Sequence, residues 1–325
     1  MITAKPEQLE ALHERAAIYP RPEVHTLALW GPDRLRFLNG MLTQDLSRLA
    51  VHLGCAALKV NAKGKIEASV RVRAAEHALY LDVLGLRKQR LLEVLDAHII
   101  MDDCRIEDAT SNRAVLSVWG KAARTVLEAA LSTQVPNLTP HGYTTLGELS
   151  VIADRSAGVL GYEIHGPPTR LEMLQAALLG SGAAWIDEGA FTVSRVEHGI
   201  PMDGPELDDD TLPMEAGLSE AVSLSKGCYV GQEVIARGTN LGGVQYALVG
   251  YLLGDAVLEP GTLLFGEDEG KAQGELCTVV ASPRLGQNIA LGYARKAHEK
   301  PGSTLWTARA SGRLPAVVSA LPFSG

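Results

Sequence analysis

Apolar positions along this chain recur with two periods, and the period switches many times. Leu9, Leu12 and Ile18 follow Pro6, which predicts an opening helix over residues 6–18 with proline in its first turn. A short apolar run, Thr26–Trp30, leads into the turn Gly31-Pro32-Asp33, after which Leu35, Leu38 and Leu42 recur at helical spacing. The same order of strand, Trp-Gly turn and helix returns in Ala114–Trp119, Gly120, and then Val126, Leu127, Ala130 and Leu131. Two copies of one unit point to an internal duplication or to two similar modules, with chance similarity over so few positions as the third reading.

Between the copies, Ala57–Val60 and Ile66–Val72 read as strands joined by the polar, glycine-containing turn Asn61–Lys65, a hairpin pattern. His77–Leu84 alternates as a further strand, and Leu86–Ile100 reads as a helix. After the second copy come strands near Thr144–Asp154 and Val159–His165, then helices over Arg170–Leu179 and Phe191–His198. Hairpins mixed with helices predict an α+β fold and not a doubly wound sheet. From about residue 240 the apolar segments become short, among them Val244–Leu253, Thr262–Phe265, Cys277–Ala281, Ala290–Tyr293 and Ala316–Ser319. Gly, Pro, Asp and Asn separate them, which fits a small antiparallel β-barrel. The expected parts are 1–110, 111–238 and 239–325.

At 325 residues the chain suits two or three domains. Hydrophobic residues at 46% and charged residues at 21% are ordinary for a globular protein. The net charge is −8, and the one basic cluster, Arg87, Lys88 and Arg90, alternates with leucines as the wet side of an amphipathic helix. Nucleic acid is therefore not the expected partner. Cys55, Cys104, Cys228 and Cys277 lie far apart without Cys-x-x-Cys spacing, so neither a metal site nor a disulfide framework is expected, and reduced thiols fit the cytoplasm. The polar N-terminus lacks an apolar signal core, and the run Tyr246–Leu253 is too short for a membrane span. The acidic run Glu206–Asp210 lacks calcium-loop spacing and reads as a solvated linker.

The loop Lys226-Gly227-Cys228-Tyr229-Val230-Gly231-Gln232-Glu233 stands out chemically. Its glycines permit close backbone approach to a ligand or partner. A helix starting at Gly231 would put Cys228 near a positive end, and with Lys226 this would favour the thiolate. The alternative is a small buried cysteine in a tight turn. No histidine lies in the loop to act as base.

This loop, continued by Ala236-Arg237, resembles the signature of the YgfZ family of folate-binding proteins, which is related to the glycine cleavage T-protein. The resemblance extends to Gly31–Thr43, to Asn61–Ile66, and to Arg195–Gly204 with Pro213–Leu218. It implies three domains around a central folate cleft, with the last a β-barrel. It implies tetrahydrofolate or a derivative as cofactor, contacted by Glu197, Phe191 and Arg237, with Cys228 at or near the rim. A carboxylate such as Glu197 accepts the donor edge of a pterin in a bidentate way; its plainer reading is a salt bridge to Arg195. Phe191 would stack on the pterin, or else belong to the core. Val24 falls where relatives can carry tryptophan. The T-protein has an aspartate after its hairpin that assists one-carbon transfer. Here Ala68 and Ser69 fill those positions, and Glu67 is expected on the opposite strand face. The expected function is a folate-binding accessory factor in the assembly or repair of iron–sulfur proteins, with those proteins as partners. The alternatives are an aminomethyltransferase and a non-catalytic folate-sensing interaction protein.

Overall fold

The computed structural model describes residues 1–240, 243–268 and 270–324. The opening helix α1 (Pro6–Glu14) stops four residues short of the expected end. Ala17 and Ile18 are wholly buried and belong instead to strand β1 (Ala17–Pro20), because backbone pairing with a sheet outweighs their helical spacing.

The first sheet is built from β2 (Val24–Trp30), β3 (Gly54–Val60), β4 (Ile66–Ala74), β5 (Ala78–Leu84) and β6 (Arg105–Asp108), in the order β3-β4-β5-β2-β6. Helices α2 (Arg34–Met41) and α3 (Gly85–His98) share one core with Leu27, Leu29, Ala68, Val70, Val72, Leu79 and Leu81. These side chains alternate with polar ones along their strands, so one face of the sheet is covered by helices and the other carries Thr26, Ser69, Arg71 and Asp82.

The second sheet repeats the plan. Strands β7 (Ala114–Trp119), β8 (Tyr143–Leu146), β9 (Leu149–Asp154) and β10 (Gly161–Gly166) stand in the order β7-β10-β9-β8, with α4 (Ala123–Leu131) and α5 (Pro168–Gly180) on the core face. The segment read as one strand near 144–154 is thus two, turning at Gly147. Beyond β7 come β1 and then β11 (Ala184–Trp185). Strand β1 therefore holds the place that β6 holds in the first sheet. The match extends to the turns: Gly31 (φ +104°) lies against the carbonyl of Asp103, and Gly120 (φ +114°) against that of Arg15. Only glycine fits such a turn, since an added Cβ would come within 2.3 and 2.5 Å of those oxygens. Duplication is the reading that topology supports.

The C-terminal barrel contains β12 (Tyr246–Gly254), β13 (Leu263–Leu264), β14 (Gly274–Ser282), β15 (Gln287–Arg295), β16 (Thr304–Trp306) and β17 (Pro315–Ser319), in the order β13-β14-β15-β12-β17-β16. Paired hydrogen bonds between Phe265 and Trp306 bring its two edges together.

Helix α6 (Glu188–Glu197) links the sheets to the barrel through a buried ion pair. Arg195 donates to Glu206 at 2.9 Å, to the carbonyl of Ile200 at 3.0 Å and to Thr278 of β14 at 3.1 Å. Glu206 is 2% exposed and also accepts from the Met202 amide. The acidic run is not a solvated linker at this end, because Glu206 is consumed as the counter-charge of Arg195. Removing one partner leaves a buried charge unpaired, so Glu206→Ala is expected to cost about 3–5 kcal/mol, whereas Arg195→Met with Glu206→Leu recovers most of the loss. Urea unfolding of both variants checks this; an unchanged midpoint in Glu206→Ala would refute it.

Candidate functional site

The uncovered faces of the two sheets look at each other across a cavity of about 290 Å³. Its walls are apolar where Val24, Leu58, Leu84, Met202 and Leu218 contribute, and charged on the two facing sheets. Arg71 of β4 reaches across, bonding Asp82 of its own sheet at 3.1 Å and Asp154 of the second sheet at 3.3 Å, and it also donates to Glu163 of β10. Beneath it Arg73 grips Asp82 with two bonds of 2.7 and 2.8 Å. His165 lies 2.7 Å from Glu163; the carboxylate can only accept, so Nε2 carries the hydrogen. Burial pushes the His165 pKa well below its ordinary value, so the ring is neutral. Burial works to raise the pKa of Asp82 and Asp154, but Arg73 in the first case and Arg71 with Arg21 in the second hold both carboxyls below the usual range.

Asp82, Glu163 and His165 converge closely enough to resemble a metal-binding cluster. Two guanidinium groups already neutralise them, however, and a cation there would have to displace Arg71 and Arg73.

A loop after α6 closes one side of the cavity. Its Asp203 is wholly buried and accepts from Ser69 twice, from the amide at 3.1 Å and from the hydroxyl at 2.5 Å, both at Oδ2. Asp203 Oδ1 is buried without a hydrogen-bond partner among the described residues. Ser69 faces the cavity and Ala68 the core, and a register shift opposite Lys59 and Val60 turns Glu67 toward Lys59 and Arg90 of α3 on the helix-covered side, away from the cavity as expected. Glu67 is spent on Lys59, 2.9 Å away.

The cysteine loop docks against the Asn61–Lys65 hairpin. Gly231 (φ +83°) lies so near the Asn61 carbonyl that a Cβ would approach it to 2.4 Å. Helix α7 (Gln232–Asn240) starts directly after it. Lys226 is buried, and its ammonium donates to the carbonyls of Asn39, Leu42 and Gln44 at the C-terminus of α2. Burial lowers its pKa to about 8. All three ammonium hydrogens are thus directed at α2 and none at the thiol. Tyr229 is buried with its ring 5.1 Å from the Lys226 ammonium, whereas Cys228 is exposed.

The residues singled out in the sequence are not gathered in one place. Glu197 is fully buried away from the cavity, with Ser282 on one oxygen and Arg284 on the other at 3.0 Å; Arg195, its expected salt-bridge partner, goes to Glu206. Phe191 is stacked between Tyr19 and Trp119, each 5.5 Å away, and supports Arg21, whose guanidinium lies 4.7 Å over its ring and lines the cavity. Arg237 is exposed on α7 and pairs with Glu233. Gln232 begins that helix and Gly227 precedes the exposed thiol. Val24 does line the cavity. Sequence reasoning missed Arg21, Arg71, Glu163 and Asp203. The available signal was polar residues at period two within apolar strands, Ser69-x-Arg71-x-Arg73 and Glu163-x-His165.

Two family models match: the GCVT N-terminal domain over residues 3–226 and the glycine cleavage T-protein C-terminal barrel domain over 247–324. An aminomethyltransferase of Rubrobacter xylanophilus is 30% identical over 97% of this chain and 84% of its own length. The mitochondrial aminomethyltransferase of Gallus gallus is 28% identical over 91% of this chain and 78% of its own. The crystal structure of the glycine cleavage system aminomethyltransferase T from Bartonella henselae covers 98% of this chain and 89% of that one, with TM-score 0.90 at 22% identity, a likeness of fold.

Asp82 and Asp154 bind protons less readily in the folded chain than in the unfolded one. Their contribution to stability is therefore present above the unfolded carboxylate value of about 4 and is lost as pH falls through it toward the folded values. Asp82→Asn is expected to lower stability at neutral pH and to flatten the decline between about pH 5 and 2. Unfolding free energies measured across that range decide; parallel curves for the variant and the wild type would contradict the assignment.

Proposed function

The chain belongs to the glycine cleavage T-protein family, and from that premise we propose that the cavity between its sheets binds tetrahydrofolate or a derivative and hosts a one-carbon transfer of the aminomethyltransferase kind. The observation that carries this reading is the placement of carboxyl groups in a small, apolar-walled cavity between the two halves. Tetrahydrofolate supplies the nitrogen atoms that accept or release the one-carbon unit. Its pterin ring presents an edge of N–H donors, which suits Glu163: Oε1 is held by Arg71 and His165, and Oε2 lies 3.7 Å from Arg21. Arg71 and Arg73 keep the acceptors fixed before the ligand arrives, which spares the reorganisation that binding would otherwise cost.

Titration of tetrahydrofolate into the wild type and Glu163→Gln, followed by fluorescence or calorimetry, tests the binding half. The variant is expected to bind at least tenfold more weakly, about 1.4 kcal/mol. No binding by the wild type removes the reading. Turnover with aminomethylated lipoyl carrier protein tests the transfer half.

A second reading, an accessory role for iron–sulfur proteins as in the YgfZ branch, is favoured by one observation. Cys228 is presented to solvent on a loop whose neighbours Lys226, Tyr229 and Gly231 are all anchored. One thiolate can offer one cluster ligand, so the client protein would supply the rest. In cells lacking this protein, Cys228→Ala is expected to leave iron–sulfur enzyme activities low, and full restoration by the variant would exclude a thiol role.

A further inference from the structure

We propose that Asp203 is the proton-transfer residue of the cavity, acting through Oδ1 on a nitrogen of the bound reactant. The inference rests on the folate reading of the cavity and assigns its acid–base group. The carboxyl belongs to the loop after α6, and Ser69, the residue it meets, stands where β4 brings a hydroxyl to the cavity face. Both Ser69 donors converge on Oδ2. An amide N–H can only donate, so Oδ2 is an acceptor in either protonation state, and the proton of the neutral acid belongs on Oδ1. That oxygen is buried and has no partner among the described residues, on a residue that lines the cavity. A buried oxygen without a partner is costly in a resting protein and is retained where a ligand satisfies it.

The loop is built to hold this position. The Arg195–Glu206 pair fixes the Ile200 carbonyl and the Met202 amide, and the Gly204 amide bonds the Leu207 carbonyl. Burial raises the Asp203 pKa above the ordinary carboxylate value, against the pull of the Ser69 hydrogen bonds. Arg87 on α3 lowers it and Asp209 on the same loop raises it. Around the rest of the cavity stand Arg21, Arg71, Asp82, His141, Asp154 and Glu163, in which the carboxylates are matched with the guanidinium groups already described. Asp203 is the carboxyl among these with no cationic partner at hydrogen-bond distance in the described residues. In the forward step the Oδ1–H bond breaks and its electron pair stays on the carboxylate. The lone pair of the reactant nitrogen forms the new N–H bond. The reverse step returns the proton to Oδ1. Ser69 acts through Asp203 and is a positioning residue.

The test uses the full chain with tetrahydrofolate and aminomethylated lipoyl carrier protein. Asp203→Asn is expected to bind tetrahydrofolate within about threefold of wild type while turnover falls by about 10²–10⁴-fold. Ser69→Ala removes a hydrogen bond to the charged form, so it is expected to raise the Asp203 pKa further and move the corresponding limb of the pH–rate profile upward. In the ligand-free chain, pH-difference infrared spectra should show one carboxyl band that is missing from Asp203→Asn, titrates above the ordinary range and responds to tetrahydrofolate. Undiminished turnover in Asp203→Asn overturns the assignment, as does a band that titrates at the ordinary value and ignores the ligand. Absence of tetrahydrofolate binding by the wild type sinks the folate reading, and the role of Asp203 with it.

Discussion

The guanidinium of Arg71 between the two sheets is the interaction on which the cleft depends. It touches Asp82 on one side and Asp154 and Glu163 on the other, so each half of the duplicated fold supplies counter-charge to a single cation. Sheets facing each other across an apolar gap would close until it filled, as close packing dictates. A planar cation with fixed donor directions instead sets a spacing and a register, at the cost of desolvating several charges. The cavity beside it is what that spacing leaves.

Each half covers one sheet face with two helices and leaves the other for the partner half. The equivalence of β2 and β7, with Gly31 and Gly120 against equivalent carbonyls, shows how closely the plan repeats. The halves differ where the chain must cross between them. The first completes its sheet with β6 from its own segment, while the second takes β1 from the N-terminal segment. That exchange ties the start of the chain to its middle, and Ile2, bridged to Val280, ties it to the barrel as well.

The two motifs most visible in the sequence meet away from the charged residues of the cleft. The cysteine loop and the Asn61–Lys65 hairpin are packed together by Gly231, and Lys226 is a clamp on the end of α2. Much of what distinguishes the loop is thus explained by docking, and Cys228 is the part that docking leaves exposed. Short edge strands such as β6, β11 and β16 escaped sequence reading because two to four residues carry too little periodicity to separate a strand from a loop.

By itself the sequence determined the α+β class, the repeated strand–turn–helix unit, the hairpin and the barrel texture, because each rests on local spacing of apolar side chains and on turn residues. Its motifs, spread over most of the chain, also pointed to a relation with the glycine cleavage T-protein, the family whose models match. Only tertiary structure decided which polar residues form the site. Arg21, Arg71, Asp154, Glu163 and Asp203 come from separate segments, and their burial and pairing arise when two sheet faces and one loop close on each other. Glu197 and Glu206 differ little as sequence, yet one faces Arg284 and the other Arg195. Charge partners are chosen by position in space, and spacing along the chain does not encode it.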